Sequence, residues 1–128
     1  MRLVRFQQKP GENRAGVMLD NTYLAELPAV KASTEHLLDF LKDPQAEERA
    51  ASATESGLKL VKNGRQNKNG PVYNIDNVTV LPPVGRPSKI ICMGGNFSDH
   101  LSEGGASLPP FPISFLKAPT SLIGHRMP

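Results

Sequence analysis

Tryptophan is absent, cysteine occurs once, and aromatic residues make up 5% of the 128 positions. A lone thiol, Cys92, excludes an intrachain disulfide, so packing and hydrogen bonds have to hold the fold, and a reducing compartment, the cytosol, is the expected location. Long apolar runs are missing too. The longest, Ile90 to Met93, is far too short to span a bilayer, and Met1-Arg2-Leu3-Val4-Arg5-Phe6 lacks the apolar stretch of a signal peptide, so no membrane partner is expected. Nor is there a strong charge of one sign: 15 basic residues face 12 acidic ones. The densest basic stretch, Lys59, Lys62, Arg65 and Lys68, is interleaved with Asn, Gln and Gly and holds no aromatic ring on which a base could stack. It reads as a solvated helix end and loop, and no nucleic-acid partner is expected.

What is present is a loop-rich chain with 11 Gly, 12 Pro and 38% hydrophobic residues, enough for a modest core. Short β-rich runs come first: Arg2 to Gln7, Ala15 to Leu19, and Thr22 to Leu27 after the turn dipeptide Asp20-Asn21. They predict a small antiparallel sheet. Leu37, Leu38, Phe40 and Leu41 form a helical stripe behind Ser33 as N-cap. A weaker helix from Pro44 to about Val61, with Pro44 at its first position, has Ala46, Ala50, Ala53, Leu58 and Val61 to bury. Strand patterns return at 71–75 and 78–81, and the predicted core joins Leu3, Val17, Leu37 and Phe40.

Pro82, Pro83, Gly85, Arg86 and Pro87 interrupt regular structure, because Pro fixes φ and donates no hydrogen bond. A boundary is expected there: an accessory α+β domain over 1–82 and the opening of a second, β-rich domain over 83–128. The run Lys89 to Met93 predicts a strand buried on both faces.

That strand leads into Gly94-Gly95-Asn96-Phe97-Ser98-Asp99-His100-Leu101-Ser102-Glu103. His100 and Glu103 are three apart, so on a helical turn they share a face, and the carboxylate can orient the imidazole as a general base. Spacing alone carries little weight, since His36 and Asp39 repeat it inside an ordinary amphipathic helix and are expected on its surface.

Arg86 to Glu103, with Pro109, Pro112 and the run Phe115-Leu116-Lys117-Ala118-Pro119-Thr120-Ser121-Leu122-Ile123-Gly124, resembles the start of the catalytic domain in the fumarylacetoacetate hydrolase family. There a Pro-x-Lys-Ile strand leads to Gly-x-Asn-Tyr, then His and Glu. Less specifically, Arg2 to Phe6, Arg14 to Val17 and Leu24 to Leu27 are similar to the family's N-terminal domain. The resemblance implies an α+β accessory domain followed by the first strands of a mixed β-rich catalytic domain.

It also implies a divalent cation, magnesium or else manganese or calcium, gripping an oxo acid, and C–C cleavage, decarboxylation or isomerisation of a 2-oxo or β-diketo acid. His100 would be the base and Glu103 its partner; Asn96, Phe97 and Lys117 would contact substrate; a homodimer would be the assembly. Phe97 stands where the family has Tyr, and Met93 where one branch has a metal-binding Asp. The metal-holding Glu-x-Glu pair and a later Asp would follow the Phe-x-Lys strand, so no residue present here is assigned to the metal, and the chain is expected to be a fragment inactive by itself. Two alternatives stay open: a lyase of the same family acting on a ureido acid, and a non-enzymatic partner-binding domain that kept the motif.

Overall fold

Asp20 makes a tight connection. Its Oδ1 accepts from the Thr22 and Tyr23 amides at 2.6 and 2.7 Å, so the side chain itself closes the turn that the Asp-Asn dipeptide predicts. In a computed structural model that describes residues 1–28, 36–64 and 70–127, this turn joins β2 (Asn13–Met18) to β3 (Tyr23–Glu26). With β1 (Leu3–Gln7), β4 (Val72–Asn74) and β5 (Thr79–Leu81) they form an antiparallel sheet of order β4-β3-β2-β1-β5. Two helices accompany it, α1 (His36–Leu41) and α2 (Ala46–Lys62). The N-cap expected at Ser33 lies outside the described residues.

Register decides which residues share a face. Leu3 pairs with Val17, Val17 with Ala25, and Ala25 with Val72, so these four line one face. There Ala15, Val17, Ala25, Leu27 and Val72 pack with Leu37, Phe40 and Ala50 of the helices, and Leu3 lies partly buried against them. The predicted core of Leu3, Val17, Leu37 and Phe40 is thus assembled as expected. Fully burying such a side chain contributes roughly 1.5–3 kcal/mol.

The other face carries Phe6, Leu24 and Tyr73, flanked by Val4, Met18 and Val78. Phe6 and Tyr73 rings meet at 5.2 Å between centroids, tilted by 54°. Gly16 lies among them because a β-carbon there would stand 3.1 Å from both Phe6 Cε1 and Leu24 Cδ1. Glycine is needed for close approach, and its conformational freedom plays no part.

Helix α2 departs from expectation in two details. It begins at Ala46 with Gln45 as cap, so Pro44 lies outside it, and Leu58 is 38% exposed while Leu60 packs on the core. The buried residues of α2 are Ala50 and Gly57, and a β-carbon on Gly57 would collide with Leu19 and Ala25. Among the described residues no helix is long and apolar enough to cross a membrane.

The chain divides into two compact units, Met1–Gly85 with Ile123–Pro128, and Arg86–Leu122. The second holds β6 (Ile90–Gly94), α3 (Ser98–Glu103) and β7 (Ile113–Lys117), with β6 and β7 paired as a two-stranded antiparallel sheet. The strand expected to be buried on both faces is not. Ile91 and Met93 of β6 are exposed, as is every residue of β7. An apolar run becomes a buried strand only if both faces of its sheet are covered, and a two-stranded ladder supplies no such layer.

Candidate functional site

Four of the five residues singled out from the sequence lie on one short connection of the second unit. Strand β6 ends at Gly94, and Gly95 turns the chain with φ +60, a left-handed conformation that residues with a β-carbon disfavour. A β-carbon there would also meet Pro109 and Leu101 at 3.4 and 3.6 Å. Asn96 follows, and then Phe97 in extended backbone as the N-cap of α3, its carbonyl accepting from the Leu101 amide at 3.2 Å. Gly104 and Gly105 close the far end, where the Ala106 amide reaches back to the Leu101 carbonyl at 2.8 Å.

His100 and Glu103 therefore stand one turn apart on α3, both exposed. Neither side chain makes a hydrogen bond or ion pair with a described residue, so the imidazole and carboxylate are neighbours without a closed bond. Asp99, not assigned a role from the sequence, accepts from Ser98 Oγ at 3.3 Å, and its backbone carbonyl accepts from Ser102 Oγ at 2.8 Å. These contacts steady the helix, and Asp99 itself is exposed. Asn96 and Phe97 are exposed, Phe97 by 73%.

Lys117 is not brought to this group. It pairs with Ile90, whereas the connection to α3 leaves from Gly94 at the other end of β6. Four strand steps separate the two positions, roughly 13 Å. By register Lys117 shares a face of the ladder with Ile90, Cys92 and Phe115.

Magnesium, implied by the family pattern, finds no complete ligand set. Among the described residues no group of three or more His, Cys, Asp and Glu is placed to hold a metal ion. Within Arg86–Leu122 the carboxylates are Asp99 and Glu103, and a hard cation needs more charged or carbonyl oxygens than two adjacent side chains offer. The residues present do not fit the ion by themselves.

A polar constellation of another kind sits in the first unit. Arg14 Nη1 donates to Glu26 Oε2 at 3.0 Å and to Tyr73 Oη at 2.8 Å, and Tyr73 Oη donates to Glu26 Oε2 at 2.9 Å. Burial, then the hydrogen bond to Glu26 and its charge, push the Tyr73 phenol above the ordinary tyrosine range. Burial opposes the Arg14 charge, but Glu26 and Tyr73 outweigh it and hold the guanidinium above the usual arginine value. The triangle satisfies itself and ties β2, β3 and β4 together. No sequence signal pointed to it, because its members are joined by register alone. A cleft of about 700 Å³ on this unit, lined by Leu27, Pro28, Glu48, Arg49, Ser52 and Pro71 among others, includes none of the residues singled out from the sequence.

No protein-family model matches the chain. An oxaloacetate tautomerase of Xenopus laevis, named as mitochondrial, is 31% identical over 131 residues, covering all of this chain and 38% of its own length. A fumarylacetoacetate hydrolase domain-containing protein 2 homolog of Dictyostelium discoideum is 28% identical over 126 residues, 97% of this chain and 38% of its own. The oxaloacetate tautomerase YisK of Bacillus subtilis is 40% identical over 57 residues, 42% of this chain and 19% of its own. An α+β sheet followed by the Gly-turn and His-x-x-Glu helix is thus matched in part of proteins of the fumarylacetoacetate hydrolase family, and the chain is similar to that part of them. It spans well under half the length of the curated relatives that match it end to end.

Proposed function

We propose that this chain forms part of an enzyme that moves a proton at the carbon beside the keto group of a short oxo acid, interconverting keto and enol forms. The observation that carries the reading is the match along its whole length to a relative named oxaloacetate tautomerase. In this reading the neutral His100 imidazole takes a proton from the methylene carbon, the C–H pair moves into a carbon–carbon double bond, and the carbonyl oxygen gains a proton to become the enol. Glu103, one turn along α3, fixes the imidazole tautomer and supports its charge once protonated. The Asn96 amide, at the start of the same connection, donates to a substrate oxygen and steadies developing negative charge.

The test is an absorbance assay of enol and keto oxaloacetate on the complete gene product. Tautomerisation is expected, with His100→Ala lowering kcat by about 10²–10⁴-fold while KM changes little, as for a group that acts on protons and not on binding. His36→Ala should be nearly silent. Equal turnover in wild type and His100→Ala would remove the imidazole from the reaction. Cleavage or decarboxylation of the same acid without interconversion would move the reading to another reaction of the family.

A further inference from the structure

The chain leaves the first unit after Gly85 and rejoins it at Ile123. Near both crossings a glycine is pressed against one pair of strands of that unit. At the first, the Arg5 guanidinium lies against Gly85, where a β-carbon would stand 3.1 Å from Nη1 and 3.2 Å from Cζ and Nη2. Arg5 is paired with Leu81 in the β1–β5 ladder, and its buried Nε has no hydrogen-bond partner among the described residues. A buried N–H left unsatisfied is costly, so the guanidinium is held there by packing on the Gly85 peptide.

At the second crossing Gly124 is buried. A β-carbon on it would run into the Val80 carbonyl oxygen and come within 3.3 Å of Leu81 Cα, on the strand that Arg5 pairs with. The turn that follows is fastened from the side: Arg126 adopts φ 58, unfavourable for a residue with a β-carbon, and donates from Nη1 to Asp76 Oδ1 at 2.8 Å. Neither Gly85 nor Gly124 has a positive φ, so both are glycine for close approach.

Within the second unit, Ile90 pairs with Lys117, which puts the open ends of β6 and β7 one strand spacing apart. We infer that Arg5, Gly85 and Gly124 form a clasp on the β1–β5 edge that gathers both ends of the segment 86–122. Once one end is seated, the closed ladder of β6 and β7 delivers the other, so most of the loop-closure entropy is already lost before the second contact forms. The two glycine contacts are therefore coupled although far apart in sequence. The clasp is independent of the reaction proposed above.

Hydrogen–deuterium exchange on the 128-residue chain tests this, comparing wild type, Gly85→Val and Gly124→Val. Either substitution should speed exchange about tenfold in both 82–89 and 118–127, while the amides of β2 and β3 keep their protection, as expected of a local opening. Faster exchange confined to the substituted end, or no change at either end, would overturn the clasp. So would a parallel rise across β2 and β3, which would make these glycines ordinary core positions. Should a valine variant fail to fold, Arg5→Met, which keeps the apolar stem, reads the coupling from the first crossing and Asp76→Asn from the second. Loosening at the opposite end supports the clasp, and an unchanged opposite end overturns it.

Discussion

The two units of this chain draw on similar residues and use them differently. In the first, Phe6, Phe40, Leu24, Val17 and Val72 are fully buried, on two faces of a five-stranded sheet. In the second, which carries the Gly-turn and the His-x-x-Glu helix, no residue is buried, and Ile91, Phe97, Leu108, Phe111 and Leu116 are all more than 60% exposed. Apolar character does not by itself make a core. The first unit has helices to set against its sheet; the second has two strands and one short helix, and its apolar side chains meet water.

Phe40→Ala should destabilise the chain by about 3–5 kcal/mol in urea unfolding, the usual cost of removing a buried ring. Phe115→Ala, on exposed β7, should change it by less than about 0.5 kcal/mol. Similar losses at the two positions would show that the hairpin has a core of its own.

A smaller effect belongs to the polar triangle of the first unit. Tyr73→Phe leaves Arg14 and Glu26 paired but removes two hydrogen bonds, at a cost of about 1–2 kcal/mol. Its pH dependence has a definite sign. The folded state holds the phenol protonated above the pKa of the unfolded chain, so this stabilisation is complete below about pH 10 and is lost as pH rises through the folded value. Unfolding midpoints at about pH 9 and pH 11 should therefore diverge more for wild type than for Tyr73→Phe. Equal divergence would place the phenol outside the linkage.

The smallest expected change in stability lies on the hairpin, where the effect is on association. Ile91 and Leu116 face each other across the ladder on one exposed side, 65% and 70% exposed. Ile91→Ser with Leu116→Ser should shift unfolding by less than about 0.5 kcal/mol yet reduce self-association in sedimentation velocity. A wild-type chain that stays monomeric at all concentrations would sink this. Titration calorimetry with magnesium and oxalate should give no saturable binding to the 128-residue chain, because two carboxylates on one short helix do not complete an octahedron. Micromolar binding would show ligands placed elsewhere.

Much of the first unit was legible because its signals are local. The Asp20-Asn21 turn, the stripe Leu37-Phe40 and the alternation in β1 to β3 each lie within a few residues, the range over which turn chemistry and periodicity act. The slips were of the same kind: helical spacing does not tell Leu58 from Leu60 where the apolar stripe is weak, nor mark Gly57 as the point where α2 touches Leu19 and Ala25. Of the candidate site, the His-x-x-Glu spacing and its Gly-turn could be read from the chain, and family resemblance lifted His100 above His36.

What the sequence determined unaided was where strands and helices run and which short segment carries the chemistry, because these follow from neighbours along the chain. Tertiary structure decided the rest. It set Lys117 at the far end of β6 from α3, joined Arg14, Glu26 and Tyr73, returned Gly124 to β5, and left Ile91 and Met93 in water. Register and burial depend on which strands meet and what covers them, and residues distant along the chain settle both.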